Sequence, residues 1–552
     1  MPNVIFKENL HNKEFIDKFV EPVGFEKWKS YVLGQDDGIE KTPEWAEEIC
    51  AVPAQTIREI ARLVATTRPA WLWCHSSLSR KSRGEQTVRS FSALQAMLGY
   101  WGTPGAGPAV NLGPARGIPI EANWGPRGSY EVPKLYRSHY WAQAVLLLDK
   151  VRSGELKEEE YRRMVGWRAD PSILKDFNPK ALLWGGGHKP HASDHLVTAC
   201  ESSNFQVAAM NKLEFIVTMH SVITPTVRYA DIILPAQDWA WEEKGITRSG
   251  YGGFESINYC PGVVKPPGEV KPWVWVYVKL AEKLGVDPKK FFKYYTSDEN
   301  WERDWERYLR DGYQLTIDHY KKRNIEVPSW EEFTAGKFIN CDEMEKEPFT
   351  GWDEQIKQGK PFKTASGKIE FSCSYIANEE NRGNGPHFDP FGRLYDNLPG
   401  DWGPMTPIPT FQFGVRGMND PMVKDYPLLM LAPHGRYRVH YLFFNHPWLK
   451  DHVYQHRVWI GTVDAVVRGI KDGDMIEVFN DRGKAIMPAY VTSRIMPGIV
   501  AIRHGGWYEP DETGADRGAS PSTLLGGDYT SCITPAKASN LVQVRKIEGE
   551  TS

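Results

Sequence analysis

The spacing of apolar residues changes character three times along this chain. At the start Val4, Ile5, Leu10, Phe15, Ile16 and Phe19 recur with helical period. Thr42-Pro43-Glu44-Trp45 then carries the signals that open a helix: a hydroxyl N-cap, proline at the first helical position and an acid in the first turn. That helix is expected to reach about Cys50. Pro53 opens a second, with Ile57, Ile60, Ala61 and Val64 on its buried face. Arg68-Pro69 breaks the pattern, AWLWCH at 70–75 predicts a short buried strand, and 84–99 predicts a helix before the Gly/Pro loop 99–107. Strand, loop and helix in succession indicate an α/β layer fold.

The second change comes at 181, after a mixed stretch holding the charged helix GELKEEEYRRM. ALLWGGGHKP reads as a strand followed by a triple-glycine loop, and a helix with Ala208 and Met210 near its end follows. LEFIVTMHS at 213–221 is a second strand, and VRYADIILPA at 227–236 a helical turn and a third. Alternation at this spacing predicts a parallel sheet, whose ligands sit outside the carboxyl ends of its strands. His188, His220, Ser221 and the 235–247 loop therefore fall on the expected rim. Residues 281–424 are less regular: WERDWERYLRDGY predicts a helix, FKTASGKIEFSC a turn into a strand, and 385–424 a long connection. From Tyr426 the character changes again. PLLMLAP, HRVWIG, MIEVFND, GKAIMPAYV, GIVAIR and NLVQVRK are short strands, with Asp472-Gly473-Asp474 and Asn480-Asp481-Arg482-Gly483 as turns. They predict a compact β domain closed into a barrel.

Composition adjusts this picture little. The chain has 552 residues, enough for several domains, and its 21 Trp argue for large packed cores rather than disorder. A formal net charge of −3 gives no reason to expect a nucleic-acid partner. None of the seven Cys form a CxxC or CxxxC pair, so a local iron–sulfur or zinc loop is not expected. MPNVIFKENLHNKEF lacks the basic-then-apolar pattern of a secretory signal, and no run of apolar residues is long enough to span a membrane.

Three places have more polar chemistry than a core needs. Gly185-Gly186-Gly187 either lets backbone approach a phosphate or makes a tight turn; it is not a GxGxxG fingerprint. His188, His191 and His220 lie beside it or on the next strand end, each a donor to a phosphate or base or a structural residue. Beyond Pro235, Asp238, Glu242 and Glu243 are either solvated charges or acceptors for a guanine edge. HGRYRVHYLFFNHPWL at 434–449 mixes Arg436, Arg438, His440, Asn445 and His446 with Tyr, Phe and Trp, which suits a large flat ligand bearing phosphates. RHGGWYEPD at 503–511 is a second such loop, where Gly505 and Gly506 permit close backbone approach. No Walker loop, HExxH or nucleophile elbow is present.

VIFKENLHNKEFIDKFV, KTPEWAEEICAVPAQTIREIARLVATTRPA, the strand units of 181–236, FKTASGKIEFSC, VWIGTVDAVVRGIKDGDMIEVFNDRGKAIMPAYVTSRIMPGIVAI and TPAKASNLVQVRK together resemble the dimethyl sulfoxide reductase family of molybdenum and tungsten oxidoreductases. The likeness is to the C-terminal portion of the catalytic subunit in the anaerobic, membrane-complex branch. It covers the whole chain, most thinly at 290–360 and 375–424. The resemblance implies an α/β, parallel-sheet domain for molybdopterin guanine dinucleotide and a C-terminal six-stranded double-psi β-barrel capping the pterins. Expected boundaries are 1–47 for the remainder of a preceding α/β domain, 48–280 for the dinucleotide-binding domain, 281–424 for an irregular extension and 425–552 for the barrel. Two dinucleotides with Mo or W are implied per complete site. So are contacts from Trp184, Gly185, Gly186 and His188, from His220, Ser221 and Thr224, and from Asp238 and Glu243. In the barrel the matching positions are Arg438, Val439, His440, Asn445, Trp448, His504, Gly505, Trp507, Tyr508 and Asn540. Where most members have Asn-Pro, this chain has His188-Lys189-Pro190, so that contact is expected to differ.

The family's iron–sulfur cysteines and its protein ligand to the metal have no counterpart here, and its N-terminal domains are expected to be absent. The implied partners are the missing N-terminal portion, an iron–sulfur electron-transfer subunit and a membrane anchor. The implied location is the cytoplasm, or the outer face of the membrane on a partner's signal. The implied chemistry of the completed assembly is oxygen-atom transfer from an S- or N-oxide. Formate oxidation, transhydroxylation, hydration and a non-catalytic cofactor-holding or assembly module are the rivals. A nicotinamide dehydrogenase would need the fingerprint that is not found.

Overall fold

The structure is a computed structural model and describes residues 1–74, 76–107, 140–165, 167, 169–185, 196–198, 202–236, 244–251, 254–341, 351–377, 406–414, 416–436, 438, 440–442, 444–452, 455–526 and 540–549. Two compact units emerge. One comprises Met1–Asn111, Glu347–Pro421 and Asp528–Ser539, and the other Leu112–Lys346, Met422–Gly527 and Asn540–Ser552.

The first unit is helical among its described residues. Pro2–Lys7, Lys13–Phe19, Pro22–Val32, Pro43–Cys50, Ala54–Thr66 and Gly84–Met97 are helices. Their starts follow the sequence: Thr42 Oγ1 accepts from Trp45 N at 3.1 Å with Pro43 next in line, and Asn12 caps Lys13–Phe19. Val4, Ile5, Phe6, Phe15, Ile16, Phe25, Trp28, Val64, Leu94, Met97 and Phe371 share one core. Two expectations fail here. Residues 70–74, the described part of that segment, are not a buried strand: Trp71 and Trp73 stand about half exposed with stacked rings, and of these five only Cys74 is buried. FKTASGKIEFSC makes its turn, but Ile369 forms only an isolated bridge to Val20, not a strand. In both segments the inward apolar side chains (Leu72, Ile369 and Phe371) pack on the helical core rather than in a sheet, and neither segment forms a strand ladder among the described residues.

The second unit holds three sheets. β1 (Ala181–Gly185), β2 (Phe215–His220) and β3 (Ile232–Pro235) are parallel in the order β1-β2-β3, as the alternation predicted. Trp141, Ala142, Val145, Ala209, Met210, Ile216 and Tyr508 form the core beside them. β4 (Lys244–Tyr251) and β5 (Phe254–Pro261) make an antiparallel hairpin joined by β6 (Ile339–Asn340). The helix Trp301–Lys321, through Trp301, Trp305, Tyr308 and Tyr313, and the short helix Trp330–Thr334, through Trp330 and Phe333, pack on this hairpin around Ile246, Ile257 and Phe292.

β7 (Leu428–Leu431), β8 (Val458–Gly461), β9 (Met475–Phe479), β10 (Lys484–Thr492), β11 (Ile499–Ile502) and β12 (Leu541–Lys546) close a barrel in the order β10-β8-β11-β7-β12-β9. All six expected strands are present. Period-two alternation fills the interior: Leu428 and Met430, Val458 and Ile460, Ile476 and Val478, Ala485, Met487 and Ala489, Val500 and Ile502, Val542 and Val544 are buried together. Asn480 N donates to Gly483 O across the β9–β10 turn. No helix among the described residues is long and apolar enough to cross a membrane.

Candidate functional site

Strand ends and the barrel mouth converge within the second unit. β7 and β11 lie side by side and parallel, so the segments leaving their carboxyl ends, 432–446 and 503–520, emerge at the same end of the barrel. They are joined at once: His434 and His504 form a parallel bridge, and His504 N donates to Pro433 O at 2.8 Å. Gly505 has φ +97°, and a Cβ there would lie 1.8 Å from His440 O. A Cβ on Gly506 would lie 2.5 Å from Ala519 O. The close backbone approach that these two glycines permit is thus made within the protein, to His440 O and Ala519 O.

Side chains complete the junction. His440 Nδ1 and His504 Nε2 are 3.0 Å apart, and His434 stacks edge-on to His440, with ring centroids 4.8 Å apart. Buried Arg438 donates to Gly505 O at 3.3 Å, meets His456 Nδ1 at 3.2 Å and lies over the Phe444 ring. His456 Nε2 sits 3.1 Å from Ala519 O, so the neutral ring donates there and accepts from Arg438. Burial first, and the Arg438 charge next, push the His456 imidazole down to about 3. Trp507 Nε1 donates to Tyr441 O at 2.9 Å.

Asp516 organises the far side of the 503–520 segment. Its Oδ1 accepts from Glu509 N, Gly518 N and Ala519 N, and its Oδ2 from Ser520 N and Thr523 Oγ1, all within 3.1 Å. Complete burial raises its carboxyl to about 6, while the hydrogen bonds from Glu509, Thr523, Ser520 and Gly518 pull the other way by favouring the carboxylate.

The same segment reaches the parallel sheet. Tyr508 lies in the sheet's core, and its hydroxyl donates to Asn204 Oδ1 at 2.9 Å; Asn204 Nδ2 in turn donates to Arg482 O at 2.8 Å. Ser520 and Ser522 hydroxyls both donate to Thr198 O. Arg228, in the turn Val227–Tyr229 after β2, pairs with Glu509 at 3.2 Å and lies over the Trp507 ring.

Among the sequence candidates, β1 places Trp184 and Gly185 opposite Thr218 and Met219 of β2. Gly185 has φ +107°, and a Cβ there would strike Met219 O at 2.2 Å. Its carbonyl accepts from Tyr277 Oη at 3.3 Å. His220 ends β2 buried, with Nδ1 accepting from Val222 N at 2.9 Å; Ser221 is exposed and Thr224 buried just beyond. Arg438, His440, His504, Gly505 and Trp507 are brought together as described. Asn445 lies exposed in the turn before the helix Pro447–His452, and Trp448 is exposed on that helix. Asn540 is buried in the barrel wall, donating to Leu524 O and accepting from Asn480 Nδ2, so its amide has a structural task there. Gly186, His188, Asp238 and Glu243, with Val439, lie outside the described residues. Sequence reasoning did not single out Asn204, Arg228, His434, His456 or Asp516. Only His434 stood inside a stretch already marked as dense in polar and aromatic groups; the others have no local pattern.

Comparison with known proteins places this arrangement. Residues 1–283 match the family model described as Molybdopterin oxidoreductase, and residues 428–540 match the Molydopterin dinucleotide binding domain. The chain belongs to the molybdopterin oxidoreductase family. Family membership makes it part of an enzyme lineage and bears out the expected cofactor class, a molybdopterin dinucleotide with molybdenum. The chain is 28% identical to dimethyl sulfoxide reductase DmsA of Escherichia coli (strain K12), over 99% of its own length and 63% of the relative's. It is 27% identical to trimethylamine-N-oxide reductase of Haemophilus influenzae, over 99% and 63%. The chain thus spans somewhat under two thirds of the length of these relatives. Its fold is similar to that of acetylene hydratase from Pelobacter acetylenicus, with TM-score 0.63 and 18% identity, covering 99% of this chain and 69% of that one.

The donor chemistry fits such a cofactor. Imidazole and guanidinium groups at the carboxyl end of β2 (His220) and at the barrel mouth (Arg438, His440, His504) suit phosphate oxygens and the polar edges of flat heterocycles. The backbone bridge at His504 and the packing of Gly505 on the His440 carbonyl hold those two imidazoles in place, which favours fixed orientation.

Proposed function

We propose that this chain supplies one side of the cofactor enclosure in a molybdenum enzyme with two molybdopterin guanine dinucleotides, which reduces an S- or N-oxide by oxygen-atom transfer. The observation that carries the reading is the joined rim. One segment, 503–520, runs from the barrel-mouth histidines to the helix and turn that flank the parallel sheet, and so ties together the two regions that match the family models. In this reading Trp184, Gly185, Gly186, His188, His220, Ser221 and Thr224 bound a guanine nucleotide, with Asp238 and Glu243 as acceptors for its base. Arg438, His440, Asn445, His504, Gly505 and Trp507 orient the pterin, and Asn540 keeps the barrel wall in register beneath it. When bound, the molybdenum–pterin group supplies the two-electron centre. The chain's own residues bind, orient and exclude water around it. The double-psi form of the barrel, the metal's protein ligand from further polypeptide, an iron–sulfur electron-transfer subunit and a membrane anchor belong to the same proposal. The names of the relatives favour the S- and N-oxide direction.

The test is anaerobic purification of the assembly containing this chain, followed by metal analysis, release of guanine nucleotide and oxidation of a reduced viologen dye. Stoichiometric molybdenum and nucleotide, with dye oxidation dependent on dimethyl sulfoxide or trimethylamine N-oxide, is the expected result. Formate oxidation, transhydroxylation or hydration without reduction of either oxide moves the activity to those alternatives. A molybdenum- and nucleotide-loaded assembly with no activity leaves a cofactor-holding module. Stoichiometric metal on this chain alone overturns its need for a partner.

A further inference from the structure

We infer that the cavity between the β4–β5 hairpin and the helix Trp301–Lys321 binds a small organic acid, a singly charged carboxylate on a flat apolar body. The cavity has a volume of about 280 Å³ and lies at the open end of the hairpin, where Lys244 of β4 pairs with Pro261 of β5. None of its lining residues belongs to the cofactor rim described above. Pro261, Pro266 and Pro272 line it along the connection from β5 to the helix Trp273–Lys283. Their fixed φ angles leave little to order when a ligand enters. Trp301 and Trp305 supply the aromatic wall. At i and i+4 they share one helix face, stacked with ring centroids 5.9 Å apart. Val264 also lines the cavity and is 50% exposed, so apolar surface there remains to be covered.

Donors and charge set the ligand class. Trp305 Nε1 donates to Lys244 O at 2.8 Å, whereas Trp301, only 9% exposed, has no acceptor for its indole N–H among the described residues. The charged lining residues are Lys244, Lys265 and Glu302. Lys244 Nζ lies 3.8 Å from Glu302 Oε2 with both side chains well exposed, so this pair is loose and holds the ammonium weakly. Lys265 has no acidic partner among the described residues. The cavity therefore carries one uncompensated positive charge. Trp301 and Glu302 also open a 21-residue helix, whose N-terminus adds partial positive charge. A monoanion balances that excess, while a second carboxylate would meet Glu302. The volume falls just under the roughly 300–1,000 Å³ of pockets for drug-sized ligands, which limits the body to about one ring.

The test titrates the full chain with benzoate by calorimetry, with benzamide and acetate as separate arms. Saturable binding of one benzoate per chain is expected. Benzamide, which lacks the charge, and acetate, which lacks the body, each bind at least about tenfold more weakly. Lys265→Ala and Val264→Asp change exposed side chains outside the core, and each weakens benzoate binding by at least about tenfold. Lys283→Ala, outside the cavity, leaves it unchanged. Location is also read without a variant, by acetylation of lysine followed by peptide mass: benzoate slows the reaction at Lys244 and Lys265 and not at Lys283. Failure to saturate at one benzoate per chain, equal binding of benzamide or acetate, binding that survives both substitutions, or no protection of the two lysines overturns the site. None of these readouts depends on molybdenum or guanine nucleotide, so this proposal and the cofactor reading fail separately.

Discussion

The barrel and the three-stranded parallel sheet lie in one compact unit, and they bury their strands to very different degrees. In the barrel each strand has a partner on both sides, and the inward residues of all six strands are almost wholly inaccessible. In the sheet β1 and β3 are edges among the described residues, and Phe215, Ile232 and Ile233 remain 42%, 45% and 42% exposed. Parallel sheets ordinarily have both faces covered. The barrel thus carries its own core, whereas the sheet leans on specific fastenings to the barrel: Tyr508 with Asn204, Ser520 and Ser522 with Thr198, and Arg228 with Glu509. Fixed position belongs to the barrel, and the parallel sheet inherits its position through the 503–520 segment.

If that asymmetry holds, the largest effect comes from the group that shapes the connecting segment. Asp516→Ala removes a fully buried acceptor of five hydrogen bonds and leaves four backbone amides and a hydroxyl without it. The expected loss is about 3–5 kcal/mol, read by denaturant unfolding, and Asp516→Asn is expected to lose less. A loss under about 1 kcal/mol would break the comparison, because the segment would then not depend on its carboxylate.

Two glycines sharpen it. Gly505→Ala meets both a positive φ and a carbonyl oxygen, while Gly473, at φ +85° in the barrel's DGD turn, has open space around its Cβ position. Gly473→Ala is expected to cost about 1 kcal/mol from backbone conformation alone. Gly505→Ala is expected to cost at least about 2 kcal/mol more through overpacking and to disturb His440. Equal melting temperatures for the pair would refute the close packing of the rim.

The next effect is a pH dependence. His456 is held neutral, with its imidazole near 3 against an unfolded value of about 6.5. Between these values the unfolded chain binds the extra proton, so this contribution is fully present above about pH 6.5 and is lost as pH falls toward 3. The slope approaches about 1.4 kcal/mol per pH unit in the middle of that window. His456→Gln flattens it, and a slope unchanged in the variant would assign the acid sensitivity elsewhere.

The barrel was legible because its strands obey a period of two and its turns are spelled in Gly, Asp and Asn; all six strands lie where that pattern put them. The parallel sheet was legible from its apolar runs. The hairpin β4–β5 was not, since Lys244-Gly245-Ile246-Thr247-Arg248 carries no clean alternation and is held by aromatic packing from Trp305 and Tyr308 far along the chain. AWLWCH misled because two exposed Trp rings stacked on each other read as core. At the site, single residues in dense polar stretches were visible, whereas Asp516 and His456 act through hydrogen bonds to backbone that no spacing announces. Gly505 was legible as a point of close backbone approach, and the structure supplies the neighbour, His440 O.

The smallest expected effect separates fastening from binding. Arg228 and Glu509 are each roughly half exposed, so their ion pair is worth at most about 0.5 kcal/mol, with a similar amount from the guanidinium over Trp507. Tyr508→Phe removes a partly buried hydrogen bond and is expected to cost about 1 kcal/mol. Arg228→Gln should therefore destabilise no more than Tyr508→Phe. If Arg228 also neutralises a bound diphosphate, the order reverses when guanine nucleotide retained through purification is measured: Arg228→Gln loses the most, and the loss grows with salt in the wild type. Equal nucleotide retention in Arg228→Gln and wild type would leave Arg228 as a fastening of the sheet to the barrel and remove it from the cofactor rim.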